Sequence, residues 1–278
     1  MSSAPEIFFL PMPARGQRLA LHHRPARNAR GVVVYVHPFA EEMNKSRRMA
    51  ALQSRALAAA GYAVLQIDLL GCGDSSGDFG DASWDDWVAD IVGAVDWVRE
   101  RHDAPLTLWG LRAGCLLAAA AAQRIDVPAD FLFWQPATAG KLVLQQLLRL
   151  RLAAEMEGSG ARGLMASLRT DLAAGEAVDV AGYRIAPALA AGLEAATLAP
   201  PVSYRTHVAW LEVSSRADTP LLPASTAAVA RWQEAGHRST AEVVQGPAFW
   251  QTAEIEEAPE LIGTTVAALG ETMGVCRS

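Results

Sequence analysis

The sequence predicts an α/β fold in which a mostly parallel sheet of about eight strands carries helices on both faces. Two observations predict it. Short runs rich in Val, Ile, Phe and Trp alternate with helical patterns along most of the chain. With 51% hydrophobic and 19% charged residues, the 278-residue chain can also bury a large core, which argues against disorder.

In order, strands are expected over 7–12 and 19–24, a hairpin turning at Ala14-Arg15-Gly16. The run GVVVYV (31–36) reads as a fully buried strand, followed by a helix over 45–60 closed by Gly61. Strands at 63–68, 106–109 and 131–134 alternate with helices at 84–101 and 113–123. From about 137 to 206 the alternation breaks into Leu- and Ala-rich helical sequence with no strong strand. It resumes with strands at 208–213 and 240–244 and helices at 223–235 and 258–272. The expected organisation is therefore one core, 1–136 with 207–278, and a helical cap inserted at 137–206 over the crevice at the sheet edge.

Composition narrows the class. A formal net charge of −6 argues against nucleic acid as a partner. Cys72, Cys115 and Cys276 lie far apart without C-x-x-C spacing, which reads as reduced thiols with neither disulfide nor metal site. The N-terminus lacks the pattern of a signal peptide, and no run reaches the ~18–20 apolar residues of a membrane span. The expectation is a soluble cytoplasmic protein without cofactor.

The chemistry concentrates at one junction. Gly110-Leu111-Arg112-Ala113-Gly114 lies between a strand and a small-residue helix, with the spacing and context of the G-x-S-x-G nucleophile elbow. The glycines suit a sharp turn and a close helix–strand approach, which forces residue 112 to the tip. His37-Pro38-Phe39 ends the 31–36 strand at the oxyanion loop, where the Phe39 N–H pairs with that of Ala113; Pro38 has none to give. Asp68-x-x-Gly71-x-Gly73-x-Ser75-x-Gly77 forms a loop after the next strand, and Asp218 lies just past the 208–213 strand, at the position of a triad acid.

Here the chain resembles the α/β-hydrolase superfamily over nearly its full length. HPFAEEMNKSRR (37–48), GLRAG at the elbow and FWQTAEIEEAPEL (249–261) more narrowly resemble the exosortase A system-associated hydrolase 2 group. That resemblance implies a setting in bacteria that make exopolysaccharide and sort proteins bearing a C-terminal PEP-type signal, with a partner protein from that system.

The standard triad is nevertheless missing. Arg112 stands where the serine belongs, and a guanidinium with a pKa above ~12 is no nucleophile. The base is missing too, since the last histidine, His237, precedes the final strand. A displaced Ser75 or Cys72 is the alternative nucleophile for an ester or thioester hydrolase; Cys115 reads as a buried hydrophobe. His37 is either a structural histidine or part of the crevice floor, and the other histidines read as structural or surface residues.

Arg112 at a helix N-terminus calls for an acidic partner, with Glu41, Glu42 and Asp218 as candidates. It either forms a salt bridge that plugs the old site or grips a small anionic or acyl ligand together with free N–H groups. A third reading is a scaffold whose cap docks a partner hydrolase. Phe39, Trp109, Trp134, Trp210, Phe249 and Trp250 either line an apolar pocket or fill the core. The amphipathic stretch 141–156 is either a cap helix or a surface for membrane or partner.

Overall fold

A computed structural model describes residues 4–12, 15–155 and 163–275. Ala14, Met156 and Cys276, on which parts of the reading above fall, lie outside the described residues.

Strands β1 (Glu6–Pro11) and β2 (Gln17–His23) form the expected hairpin. Strand β3 (Gly31–Val36) leads into helix α1 (Ala40–Ala59), and β4 (Tyr62–Ile67) into a 3₁₀ turn (Phe79–Asp81) and α2 (Trp84–Arg99). Strand β5 (Leu106–Leu111), α3 (Gly114–Ala121) and β6 (Ala129–Trp134) complete the first part. Helix α1 begins five residues earlier than the periodicity indicates. Its first turn carries Glu41 and Glu42, whose charges favour the positive end of the helix.

After β6 the chain leaves the sheet for α4 (Gly140–Glu155), α5 (Leu164–Ala173), a small hairpin of β7 (Val178–Val180) and β8 (Tyr183–Ile185), and α6 (Pro187–Ala195). It returns with β9 (His207–Ser214), α7 (Pro223–Glu234), β10 (Arg238–Gln245) and α8 (Pro259–Val275). The hairpin adds two three-residue strands to a stretch expected to hold no strong strand. Its loop, Ala181-Gly182, holds positive φ at both residues (47° and 86°). Asn-Gly or Asp-Gly normally announces such a turn, and alanine there hides it.

The eight-stranded sheet runs β1-β2-β4-β3-β5-β6-β9-β10, antiparallel only where β2 meets β1 and β4. Strand β3 shows why the run GVVVYV needs no polar residue. Val32, Val34 and Val36 point toward α2 and α3, while Val33 and Tyr35 point into the core under α1 and α8. Trp109, Trp134, Trp210 and Phe249 are core residues of the two layers. Helix α4 buries Leu144 and Leu148 against the rest of the protein. Helix α6 lies tight on α2, and a Cβ at Gly192 would overlap the Trp84 side chain.

One buried polar pair was not legible in the sequence. Arg18 on β2 donates through Nε to Asp90 of α2 at 2.8 Å, both side chains being almost fully buried. Asp90 also accepts the Leu70 N–H at 2.7 Å. Removing one partner strands a buried charge. Asp90→Ala is expected to cost about 3–5 kcal/mol in urea unfolding; a loss below ~1 kcal/mol would show that water reaches the pair.

Candidate functional site

The elbow forms as its spacing predicts. Glycines 110 and 114 are required by contact: a Cβ at Gly110 would strike the Cys115 backbone, and one at Gly114 the carbonyl oxygens of Val36 and His37. Helix α3 can therefore start directly on β3 and β5. Arg112 is left at the tip with φ 56°, a left-handed conformation that costs a non-glycine residue on the order of 1–3 kcal/mol. Backbone bonds hold it there. Its N–H donates to Trp134 O at 2.9 Å, and its carbonyl accepts from Cys115 and Ala137, both at 3.2 Å.

The side chain of Arg112 reaches over α1. Its Nε donates to Glu42 Oε1 at 3.2 Å, and its Cζ lies 5.7 Å from the centre of the Trp250 ring, within cation–π range. Among the three acidic candidates, Glu42 is the one that pairs with Arg112. Glu41 is exposed and accepts a long 3.5 Å bond from the Tyr183 hydroxyl, and Asp218 is exposed on the loop after β9 with φ 53°. Trp250 follows β10, where the resemblance calls for a histidine. A single chain gave no signal for its contact with Arg112, because the two residues are 138 positions apart and meet only when β10 docks on the sheet.

These residues open into a cavity of about 400 Å³. Phe39, Ala113, Glu41, Glu42 and Arg112 line it, with Lys45 of α1, Tyr183 of β8 and Trp250. Along α4, Val143, Gln146, Leu147 and Leu150 form its far wall, the i, i+3, i+4, i+7 spacing of one helix face. Phe39 and Ala113 immediately precede α1 and α3. Among the described residues neither of their N–H groups donates to a protein acceptor. Two helix N-termini thus converge on one cavity with a guanidinium beside them.

The remaining candidates sit elsewhere. His37 is buried behind the oxyanion loop; its Nδ1 bonds the Pro38 carbonyl at 2.7 Å and its Nε2 accepts the Leu69 N–H at 3.2 Å. Burial lowers its pKa and favours the neutral ring. Ser75 is buried too. Its Oγ donates to Asp68 O at 2.6 Å and accepts the Leu19 N–H at 3.0 Å, clipping the glycine loop onto β2. Asp68 itself pairs with Arg47 at 2.8 Å. Neither His37 nor Ser75 lines the Arg112 cavity. Burial pushes the thiols of Cys72 and Cys115 well above their ordinary range, which suppresses the reactive thiolate. Among the described residues, no group of three or more His, Cys, Asp or Glu side chains is placed to hold a metal ion, and no helix is long and apolar enough to cross a membrane.

Residues 27–167, about half of the chain, match the family described as serine aminopeptidase, S33. The chain belongs to that family. It is an α/β-hydrolase superfamily member whose elbow carries arginine. The human protein ABHD12B is 27% identical over 114 residues, covering 41% of this chain but only 30% of that relative. The chain thus matches less than a third of the curated relative's length. Solved structures share the fold across both chains. The thermostable carboxyl esterase of Bacillus coagulans covers 98% of this chain and 100% of its own (TM-score 0.66, 15% identity). Est1E of Butyrivibrio proteoclasticus with bound ferulic acid covers 96% and 99% (TM-score 0.68, 16% identity).

Two measurements follow from this geometry. Burial raises the pKa of Glu42, and Arg112 only partly opposes the shift. A carboxyl raised in the folded state binds its proton more tightly there than in the unfolded chain. Its contribution to stability is therefore present at low pH and lost as pH rises above the ordinary glutamate range near ~4.3. Glu42→Gln should flatten that part of the stability–pH profile, and an unchanged slope would assign it to other groups. In native protein, Cys72 and Cys115 should resist iodoacetamide and become alkylated only in denaturant, as read by peptide mapping; rapid native labelling of either would contradict its burial.

Proposed function

We propose that this chain is a hydrolase-fold binding protein. Its elbow arginine receives a small anionic or acyl ligand instead of attacking a substrate. The segment 137–206 acts as the cap over that ligand, and the protein serves as an accessory factor in a bacterial exopolysaccharide and PEP-type sorting system. The setting rests on the sequence resemblance of 37–48, the elbow and 249–261. One observation carries the chemistry: Arg112 holds the tip position that a nucleophile would take, paired to Glu42 and packed on Trp250.

Two parts of a serine hydrolase's machinery, the nucleophile and the base, have altered counterparts here. A permanently protonated group replaces the nucleophile. An indole that cannot take up a proton lies beside it in the segment where the base is expected. The amide donors of Phe39 and Ala113 remain, and with Arg112 they make a receptor for negative charge. A displaced nucleophile finds little support, because Ser75 Oγ already serves two backbone groups and Cys72 is a buried thiol of raised pKa.

Hydrolysis of short-chain p-nitrophenyl esters should be indistinguishable from buffer for the wild type. Turnover near ~1 s⁻¹, within the range of real enzymes, that disappears in Ser75→Ala or Cys72→Ala would overturn the non-catalytic reading. Carboxylate or phosphate anions should raise the melting temperature, as binding to the folded state must. Arg112→Ala should abolish that gain; its persistence would place the anion elsewhere.

A further inference from the structure

We propose that the Arg112 cavity takes an aliphatic monocarboxylate, its head on the arginine and the two helix-capping amides, its tail along the α4 face. The inference rests on the binding-protein reading above and names the ligand class. Three features of the cavity select that class.

The first is the head site. Only Nε of Arg112 is engaged by Glu42; among the described residues neither terminal guanidinium nitrogen has a hydrogen-bond partner. An arginine fork with open N–H groups suits the two coplanar oxygens of a carboxylate. The Phe39 and Ala113 N–H groups provide further donors at two helix N-termini.

The second is charge. The ionisable residues lining the cavity are Arg112, Lys45, Glu41 and Glu42, two of each sign. A singly charged ligand leaves the site near neutrality, more so if Glu42 gives up Arg112 and takes a proton. A phosphate dianion would bring two negative charges against Glu41 and Glu42, and no further lining cation balances them.

The third is the wall. Val143, Leu147 and Leu150 run along α4 for seven residues, roughly 10 Å of helix. Trp250 and Tyr183 also line the cavity. Leu150 lines the cavity and is 50% exposed, so half of its surface is open on that side of α4. An alkyl chain lying on this stripe would remove that surface from water. A short anion would leave it bare, and a bulky polar ligand would gain nothing from it.

The test is calorimetric titration of the full chain with acetate, butanoate, hexanoate and octanoate, beside methyl octanoate and octyl phosphate. Affinity is expected to rise up to about fourfold per added methylene, the ratio that burial of one CH₂ permits. Methyl octanoate and octyl phosphate should each bind at least tenfold more weakly than octanoate. Leu150→Asn, a neutral change at a half-exposed position, should weaken octanoate about tenfold and acetate less than about twofold; Leu147→Asn is the second variant should the first fail to fold.

The failures are separable. If acetate and octanoate bind equally, the tail site is wrong while the anion-receptor reading stands. If octyl phosphate binds more tightly than octanoate, the monocarboxylate assignment is wrong. Octanoate binding that survives Arg112→Ala overturns the head site. If no anion binds and Arg112→Ala changes nothing, both this inference and the function it rests on fall.

Discussion

The close approach of α3 to β3 and β5 is the constraint on which the candidate site depends. Without side chains at positions 110 and 114, the helix starts where the carbonyl oxygens of Val36 and His37 would otherwise exclude it. Residue 112 is then forced into a left-handed conformation at the tip, whatever its chemistry. The strain is compensated by three backbone hydrogen bonds to Trp134, Cys115 and Ala137 and by the packing of a helix in which all residues but Ala120 are buried. The turn therefore does not require a serine. It presents the side chain it carries to the cavity, and here that side chain is a cation.

An arginine at that tip sits badly by itself, because the N-terminus of α3 is already positive. Glu42 resolves this from the first turn of α1, where its own charge is favoured by that helix's dipole. Trp250 covers the guanidinium from the side of β10. The three residues come from separate parts of the chain and form one electrostatic unit. That unit leaves the amides of Phe39 and Ala113 without protein acceptors among the described residues. N–H donors placed as in an oxyanion hole are equally suited to a bound carboxylate, since both present negative oxygen to N–H groups.

The segment between β6 and β9 completes the site with apolar surface. Helix α4 divides its leucines between two duties: Leu144 and Leu148 are buried in the core, while Leu147 and Leu150 face the cavity. The hairpin β7–β8 closes another side. Tyr183 stacks edge-on against Phe79 and accepts a hydrogen bond from Asn44 at 3.2 Å. A ligand in the cavity would touch both the sheet edge and this segment.

The sequence alone determined the order of strands and helices, because burial on both sheet faces writes continuous apolar runs such as GVVVYV into the chain. It also determined the elbow and the absence of a serine there, since a turn that tight tolerates few residue patterns. The hairpin at 178–185 was not legible, because its turn uses alanine where Asn or Asp would signal it. Nor were the Arg18–Asp90 pair and the Arg112–Trp250 contact, whose members are distant in sequence and whose meeting depends on how layers dock. The sequence left three acids as partners for Arg112. Tertiary structure chose Glu42, because the start of α1 sets it beside the elbow while the loop after β9 carries Asp218 out to solvent.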